Sequence, residues 1–268
     1  MKRHGRLLPI LAVLLAIGIT TAMDANGLSA FSALPLLPIM AIFWAIDRAP
    51  RRAVGFTFGR RTDYLLAFLH PVAVFGILAA LALAFGAVHP AATPASHTAF
   101  NVFRVAAATL LVALLTEEGF FRGWLWSALE RAGEIPARAL VETSLAFAAW
   151  HISAVALETG FDLPARRIPL FLVNAAVMGA VWGMLRAISG SVVVSSAAHG
   201  LWNGGAYVLF GFSNHPGKLG IADVWLWGPE VGILGLLANM AFLSALWRVW
   251  RKRRAAPRAD MVPVRSVP

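Results

Sequence analysis

Two adjacent glutamates, Glu117 and Glu118, stand at the end of a long apolar stretch and shortly before Arg122. A carboxylate at membrane depth costs at least ~2.5–3.5 kcal/mol on insertion scales, so two in succession point to a function. Residues four apart share a helix face, so Arg122 can pair with Glu118 and hold it ionised. Glu117 then points about 100° away without that partner, which leaves it free to bind water and act as a base.

Two histidines stand in similar apolar settings further along the chain, and each has a helical neighbour four residues away. His151 shares a face with Phe147, and His199 shares one with Asn203. The imidazole and the amide of the second pair could together donate hydrogen bonds to an oxyanion. The three clusters supply acids, bases and hydrogen-bond donors in apolar surroundings, which predicts chemistry inside a membrane.

Each cluster also has an ordinary structural explanation. A Glu–Arg pair near a helix end is commonly an interfacial ion pair of little consequence. Intramembrane Asn side chains, such as Asn174 and Asn239, commonly form hydrogen bonds between helices, and so do lone histidines. Trp150 and Trp202 are of a type that commonly packs in the interior. The occurrence of the clusters on three separate apolar segments favours the catalytic interpretation.

The composition is that of a membrane protein that crosses the bilayer several times. The 268 residues are 59% hydrophobic and 13% charged, with a mean hydropathy of +0.72, whereas a soluble domain is about 25% charged. The net charge of +10 is spread over short segments between apolar runs. This pattern indicates membrane topology and not a nucleic-acid partner. The sequence has no cysteine, which excludes disulfides, thiolate nucleophiles and Cys metal ligands.

Eight apolar runs approach the roughly 20 residues that a membrane span needs. The predicted spans are Leu7–Met23, Leu28–Ile46, Tyr64–Val88, Phe100–Gly119, Ala139–Leu157, Ile168–Ile188, Ser191–Phe212 and Val231–Trp250. Most of the 23 Lys and Arg residues fall in segments on the same side as the N-terminus, so both termini are expected in the cytoplasm. We expect a multi-pass protein of the cell membrane, of the bacterial inner-membrane type. The first run also has features of a signal peptide, but a retained anchor is favoured.

The expected all-α membrane helical bundle divides into three parts. Residues 1–99 are predicted to hold the first three transmembrane helices and a basic cytoplasmic loop. Residues 100–212 carry the polar clusters and are predicted to form the catalytic core. Residues 213–268 are predicted to form the last transmembrane helix and a basic, disordered tail.

The three clusters match a known set of motifs. Glu-Glu-x-x-x-Arg at Glu117, Phe-x-x-x-His at Phe147 and His-x-x-x-Asn at His199 resemble those of the CPBP family, also called Abi. This family comprises CAAX prenyl proteases and bacteriocin-processing enzymes, which are intramembrane endopeptidases. The residues adjoining the motifs also agree with the family, with Phe121-Arg122-Gly123 after the glutamates and Gly190-Ser191 before the third motif. The resemblance covers about residues 100–212 and implies an all-α bundle with its motifs on the fourth, fifth and seventh of eight spans.

The resemblance implies hydrolysis of a peptide bond of a membrane-associated protein or peptide, in the cytoplasmic half of the membrane. Glu117 and His151 would activate a water, and His199 with Asn203 would stabilise the oxyanion. Glu118 with Arg122 would fix the geometry. The aromatic residues beside these motifs are expected to form the substrate pocket, namely Phe121, Phe147 and Trp150. A prenylated substrate is not carried over, because most bacterial members have no known one.

The sequence leaves a metal and two other functions open. No cofactor is expected, but zinc is the alternative, with Glu117, His151 and His199 as ligands and one position open for water. A proton-coupled transporter could use buried Glu and His side chains as a relay, although the paired broken helices of transporters are not evident. A non-catalytic membrane binder of the bacteriocin-immunity type could share the same fold. The partners expected in every case are the lipid bilayer and a membrane-associated ligand.

Overall fold

The protein is described by a computed structural model that covers residues 4–92, 94–161, 163–212 and 215–255. Within these ranges nearly every element is helical, and the long helices pack side by side around one principal core. The predicted all-α polytopic bundle is therefore confirmed. The disordered tail predicted for the end of the chain lies outside the described residues.

The helices have the following bounds. The α-helices are α1 (Leu7–Ala25), α2 (Leu36–Asp47), α3 (Arg51–Val54), α4 (Arg61–Ala84), α5 (Ala95–Leu115), α6 (Trp126–Arg131), α7 (Pro136–Trp150), α8 (Ile152–Ala156), α9 (Ile168–Ser189), α10 (Val192–Gly205), α11 (Val224–Trp227) and α12 (Ile233–Ala255). Short 3-10 helices cover His4–Arg6, Ser29–Phe31 and Ala165–Arg167, and π-helical segments cover Glu118–Leu125 and Ala206–Phe210. Strands β1 (Gly211–Phe212) and β2 (His215–Pro216) pair antiparallel.

Seven helical stretches of the described chain are long and apolar enough to cross a membrane. They are Leu7–Ala25, Ser29–Asp47, Arg61–Ala84, Ala95–Arg131, Pro136–Ala156, Ala165–Ser189 and Ile233–Ala255. The other predicted span, Ser191–Phe212, folds as α10 followed by a π-helical segment. Ser, His and Asn side chains interrupt its apolar residues, and most residues of α10 are buried in the bundle. The count of eight spans and the location of both termini stay predictions.

Two predicted spans differ from regular helices, and both differ at candidate site residues. The span predicted as Phe100–Gly119 begins at Ala95, and after Leu115 it passes through the π-helical segment into α6. The span predicted as Ala139–Leu157 is interrupted at His151, which lies between α7 and α8 and is not in mid-helix as expected. Hydropathy sums the apolar character of a window, so it does not detect a local change in backbone hydrogen bonding.

Helix α10 is the central element because it packs closely against α5, α4 and α9. Ser191 caps its first turn by accepting hydrogen bonds from the backbone N–H groups of Val193 and Val194. A Cβ at Gly200 would lie 2.4 Å from the carbonyl oxygen of Ala106, so glycine is what allows α10 to approach α5. Small residues at such contacts are typical of helix pairs in membranes.

Candidate active site

The buried ion pair between Glu118 and Arg122 forms the base of the site. Arg122 Nη1 lies 3.3 Å from Glu118 Oε1, and both side chains are 0% exposed, so the contact predicted from their spacing is present. Both residues belong to the π-helical segment Glu118–Leu125, and such segments are often found at functional sites. Two charges buried this deeply stabilise the fold only as a pair, because either one alone would lack compensation.

His199 contacts both glutamates through its two ring nitrogens. Its Nδ1 lies 3.2 Å from Glu118 Oε1, and its Nε2 lies 4.0 Å from Glu117 Oε2. In the regular helix expected from the sequence, Glu117 would point away from Glu118. In the structure both carboxylates approach the same imidazole of α10, so the segment around Thr116, where α5 ends, departs from that expectation.

The contacts of the His199 ring determine which of its two nitrogens must carry a proton. A carboxylate only accepts hydrogen bonds, so Nδ1 must donate its proton to Glu118. To donate a second hydrogen bond from Nε2, for example to an oxyanion, the imidazole must carry both protons. The ring of Trp182 stacks on it at a centroid distance of 3.9 Å, which fixes its plane.

His151 is held by its own backbone turn. Its Nδ1 lies 2.9 Å from the carbonyl oxygen of Phe147. Because that oxygen can only accept, Nδ1 carries the proton and Nε2 of the neutral ring keeps a lone pair. The ring packs edge-on against Phe147 and Trp150. The break between α7 and α8 thus presents an imidazole that can accept a proton. This imidazole interacts electrostatically with the Glu117 carboxylate.

A small cavity of about 90 Å³ brings several of these groups together. Its lining includes His151, His199 and Asn203, together with Phe147, Tyr207 and Glu230. The volume corresponds to about three water molecules. Glu117, whose side chain is 16% exposed, is not among the lining residues. Its Oε2 atom lies 4.0 Å from Nε2 of His199, which does line the cavity.

The three aromatic residues expected to form the substrate pocket have different positions. Phe147 lines the cavity, and its ring also receives the Arg122 guanidinium at 4.1 Å from its centroid, a cation–π contact. Phe121 packs edge-on behind Phe147. Trp150 donates a hydrogen bond from Nε1 to Thr20 Oγ1 of α1 at 2.7 Å. Of the three, only Phe147 borders the cavity.

Glu230 is a cavity residue that the sequence analysis did not single out. It lies on the loop before α12, and its Oε1 accepts a hydrogen bond from Trp202 Nε1 at 2.9 Å. Burial raises the pKa of Glu230 to about 7, and the Trp202 N–H and the charge of His199 offset part of that rise. One signal was available, since a buried Trp N–H usually needs an acceptor and Trp202 stands inside the third motif.

Two buried asparagines connect helices, as the sequence analysis considered for this residue type. Asn239 Nδ2 of α12 donates to Asn174 Oδ1 of α9 at 3.1 Å. His70 Nε2 of α4 lies 3.1 Å from Asn239 Oδ1. These three side chains form a hydrogen-bonded network, and Asn174 also lines the small cavity.

No three His, Cys, Asp or Glu side chains within the described ranges lie close enough together to hold a metal ion. The three ligands considered from the sequence, Glu117, His151 and His199, therefore do not form a ready site in this arrangement.

The comparison with protein families agrees with the motifs. A family model described as type II CAAX prenyl endopeptidase, Rce1-like, matches residues 99–205. This segment is therefore similar to the Rce1-like family. The match contains all three motifs and lies almost entirely within the core predicted as residues 100–212. No curated protein matches the chain.

This match confirms the resemblance to the CPBP family over residues 99–205, and the matched family model is that of a CAAX prenyl endopeptidase. Together with the seven apolar helical stretches of the described chain, it indicates a multi-pass membrane protein with a segment similar to a protease family. A membrane-associated substrate and a lipid bilayer are the partners that such a family uses.

Proposed function

We propose that this protein hydrolyses a peptide bond of a membrane-associated protein or peptide in the cell membrane. The observation that supports the proposal most directly is the position of His199, with Nδ1 toward Glu118 and Nε2 toward Glu117, beside His151 in one cavity. Acids and bases gathered around a cavity of water size are what a hydrolase needs.

In the proposed reaction, Glu117 and the Nε2 atom of His151 hold and deprotonate the attacking water. General-base help of this kind contributes typically about 10²–10⁴-fold. Both groups suit the role because Nδ1 of His151 is already engaged by the Phe147 carbonyl, and Glu117 lacks the close ion pair that Glu118 makes with Arg122.

His199 and Asn203 are the proposed oxyanion donors. Both line the cavity, and they stand one helical turn apart on α10. The doubly protonated imidazole of His199 is supported by the Glu118 carboxylate, whose charge is in turn balanced by Arg122. Glu118 and Arg122 are therefore positioning residues in this scheme.

Zinc is the alternative to a purely carboxylate-based mechanism. Two imidazoles and a carboxylate are common zinc ligands, but the described positions do not bring three such groups together. We propose the metal-free mechanism, and metal analysis of the purified protein together with activity after chelator treatment distinguishes the two. Activity that is lost on chelation and restored by zinc would contradict the metal-free proposal.

The function is tested by comparing the peptide termini of the membrane proteome between a wild-type strain and a Glu117→Gln strain. Glu158→Gln, at an exposed loop position, is the matched control because it makes the same chemical change outside the site. We expect a set of termini that depends on Glu117 and not on Glu158. Identical termini in all three strains would instead indicate the non-catalytic binder considered above.

A further inference from the structure

We propose that Glu230 is a second catalytic carboxyl group, which donates a proton to the leaving amine. The inference rests on the proposed peptide-bond hydrolysis and assigns that reaction its acid. Glu117 would then take a proton from water, and Glu230 would give a proton to the leaving nitrogen.

The first support is the place of the carboxyl group. Glu230 lines the same small cavity as His151, His199 and Asn203. Its Oε1 atom is held by the Trp202 N–H at 2.9 Å, and no hydrogen bond to Oε2 is present among the described residues. One oxygen is thus fixed by the protein, and the other is available to a substrate in the cavity.

The second support is the network that holds the loop. Asn174 Nδ2 donates to the backbone carbonyls of Pro229 and Glu230, at 2.9 and 2.8 Å. Asn239 Nδ2 in turn donates to Asn174 Oδ1. These bonds fix the backbone of the loop without using the Glu230 carboxyl group, so anchoring of the loop does not explain why an acid stands there.

The same network reaches the side chain from the other direction. His70 approaches Asn239 through Nε2, and its ring stacks on Trp202 at a centroid distance of 4.8 Å. Trp202 is the donor to Glu230. Helices α4, α9, α10 and α12 therefore all contribute to the position of one carboxyl group. Hydrogen bonds in buried networks restrict the movement of their members. The bonds from Asn174 to the loop are present, and His70 Nδ1, at the far end of the network, has no hydrogen-bond partner among the described residues.

The third support is a larger cavity of about 500 Å³ between the loop after α8 and the segment from Phe210 to Val231. Glu230 and Phe161 line both this cavity and the small one. The carboxyl group thus lies where a space of water size meets a space large enough for peptide residues. A departing amine would pass this point on its way out.

The chemistry balances with these two carboxyl groups. Water oxygen bonds to the carbonyl carbon as Glu117 takes the water proton. The C–N bond then breaks as the Glu230 carboxyl group gives its proton to nitrogen, and solvent afterwards takes the proton from Glu117 and returns one to Glu230. Burial raises the pKa of Glu230 to about 7, which keeps a large protonated fraction at neutral pH, as an acid catalyst needs.

The test compares two substrates that differ in their need for an acid. One is a peptide spanning the strongest Glu117-dependent cleavage, and the other is the 4-nitrophenyl ester of its acyl segment, whose phenolate leaves without a proton. We expect Glu230→Gln to lower kcat on the peptide by about 10²–10⁴-fold and to leave ester turnover within a few-fold of wild type. Glu117→Gln should lower turnover of both.

Glu230→Gln is a suitable variant because the amide oxygen still accepts from Trp202 and the backbone bonds from Asn174 remain. Asn174→Ala is the control for a purely structural role, since it loosens the loop while the acid stays. Asn174→Ala should lower the turnover of the peptide and of the ester by the same factor. If Glu230→Gln does not fold, Glu230→Asp, with the acid withdrawn by one methylene, should give the same selective loss on the peptide.

The outcomes separate the two proposals. Normal peptide turnover in folded Glu230→Gln, or an equal loss on both substrates, overturns the role of Glu230 alone. Normal turnover in Glu117→Gln overturns the proposed hydrolysis itself.

Discussion

Two chemically identical side chains next to each other, Glu117 and Glu118, have different surroundings. Glu118 is fully buried between Arg122 and His199, whereas Glu117 is partly exposed and 4.0 Å from the same imidazole. A carboxylate that balances a buried guanidinium is needed for folding, because removal of one partner leaves an uncompensated charge. The Glu117 carboxylate does not balance a buried guanidinium, so it is available for proton transfer.

The first prediction separates these two roles. Glu117→Gln should abolish cleavage and leave the melting temperature nearly unchanged. Glu118→Gln should destabilise the protein by about 3–5 kcal/mol, since Arg122 then lacks its partner. Turnover and thermal unfolding in detergent measure both effects, with Glu158→Gln as the exposed control. Equal stability losses in the two variants would contradict the assignment.

The second prediction concerns Asn203, which lines the cavity. If Asn203 donates to the developing oxyanion, Asn203→Ala should lower kcat by about 10²–10³-fold and leave KM nearly unchanged, because the bond strengthens only in the transition state. Asn101→Ala changes the same residue type on α5 outside the cavity and should leave kcat normal. A role limited to helix packing would cost about 0.6 kcal/mol of stability and leave the rate intact.

The third prediction uses the raised pKa of Glu230. The native state keeps this proton up to about pH 7, whereas the unfolded chain releases it near the ordinary glutamate pKa of 4.5. Folding stability from this group therefore falls as the pH rises between those values and is constant outside them. The melting temperature of wild type relative to Glu230→Gln should decrease from pH 5 to pH 8. His199 and Tyr207 also face this carboxyl group, so the comparison is between variants at each pH. A pH-independent difference would contradict the burial of this acid.

At the scale of elements, the site depends on how closely α10 approaches α5. Gly200 and Gly204 stand one turn apart on α10, and a Cβ at either would lie within 3 Å of a carbonyl oxygen of α5. His199 precedes Gly200 directly, so the distance between the two helices also sets the distance between His199 and the glutamates that follow α5.

The fourth prediction is that Gly200→Ala lowers both stability and activity. The new methyl group would meet the Ala106 carbonyl oxygen at 2.4 Å and Leu110 at 2.9 Å, so α10 must move away from α5. Overpacking of this kind typically costs about 1–3 kcal/mol. We expect at least a ten-fold loss of kcat. Gly76→Ala on α4 is the control, since a methyl group there has nothing within 4 Å. A fully active Gly200→Ala enzyme would show that the close contact is not needed.

The positions of most long helices followed from hydropathy, and the i, i+4 contact of Glu118 with Arg122 followed from helix geometry. The break at His151 and the approach of Glu117 to His199 did not, because both depend on local departures from regular α-helix. The role of Glu230 was out of reach for a different reason. It is separated from Trp202 by 28 residues, and only the packing of α9, α10 and α12 brings its loop to the cavity.

At the scale of the whole molecule, the orientation in the membrane decides from which side a substrate reaches the site. The larger cavity lies between residues 161–167 and 210–231, segments that the distribution of Lys and Arg assigns to the outer side. The family resemblance implies chemistry in the cytoplasmic half of the membrane instead. Arg167 borders this cavity. With Arg166 it forms a basic pair on the expected outer side, where few Lys and Arg residues lie.

The fifth prediction tests this orientation by labelling with a membrane-impermeant thiol reagent in intact cells. The chain has no native cysteine, so single cysteines report without background. Thr62→Cys lies in the basic segment that opens α4 and should be protected until the cells are permeabilised, whereas Ala95→Cys should label at once. A third variant, Ala222→Cys, borders the larger cavity, and all three positions are exposed. Labelling of Ala222→Cys in intact cells would mean that the larger cavity opens to the outside. That result would contradict the expected cytoplasmic location of the chemistry. Labelling of Thr62→Cys and protection of Ala95→Cys would invert the topology and open the same cavity to the cytoplasm.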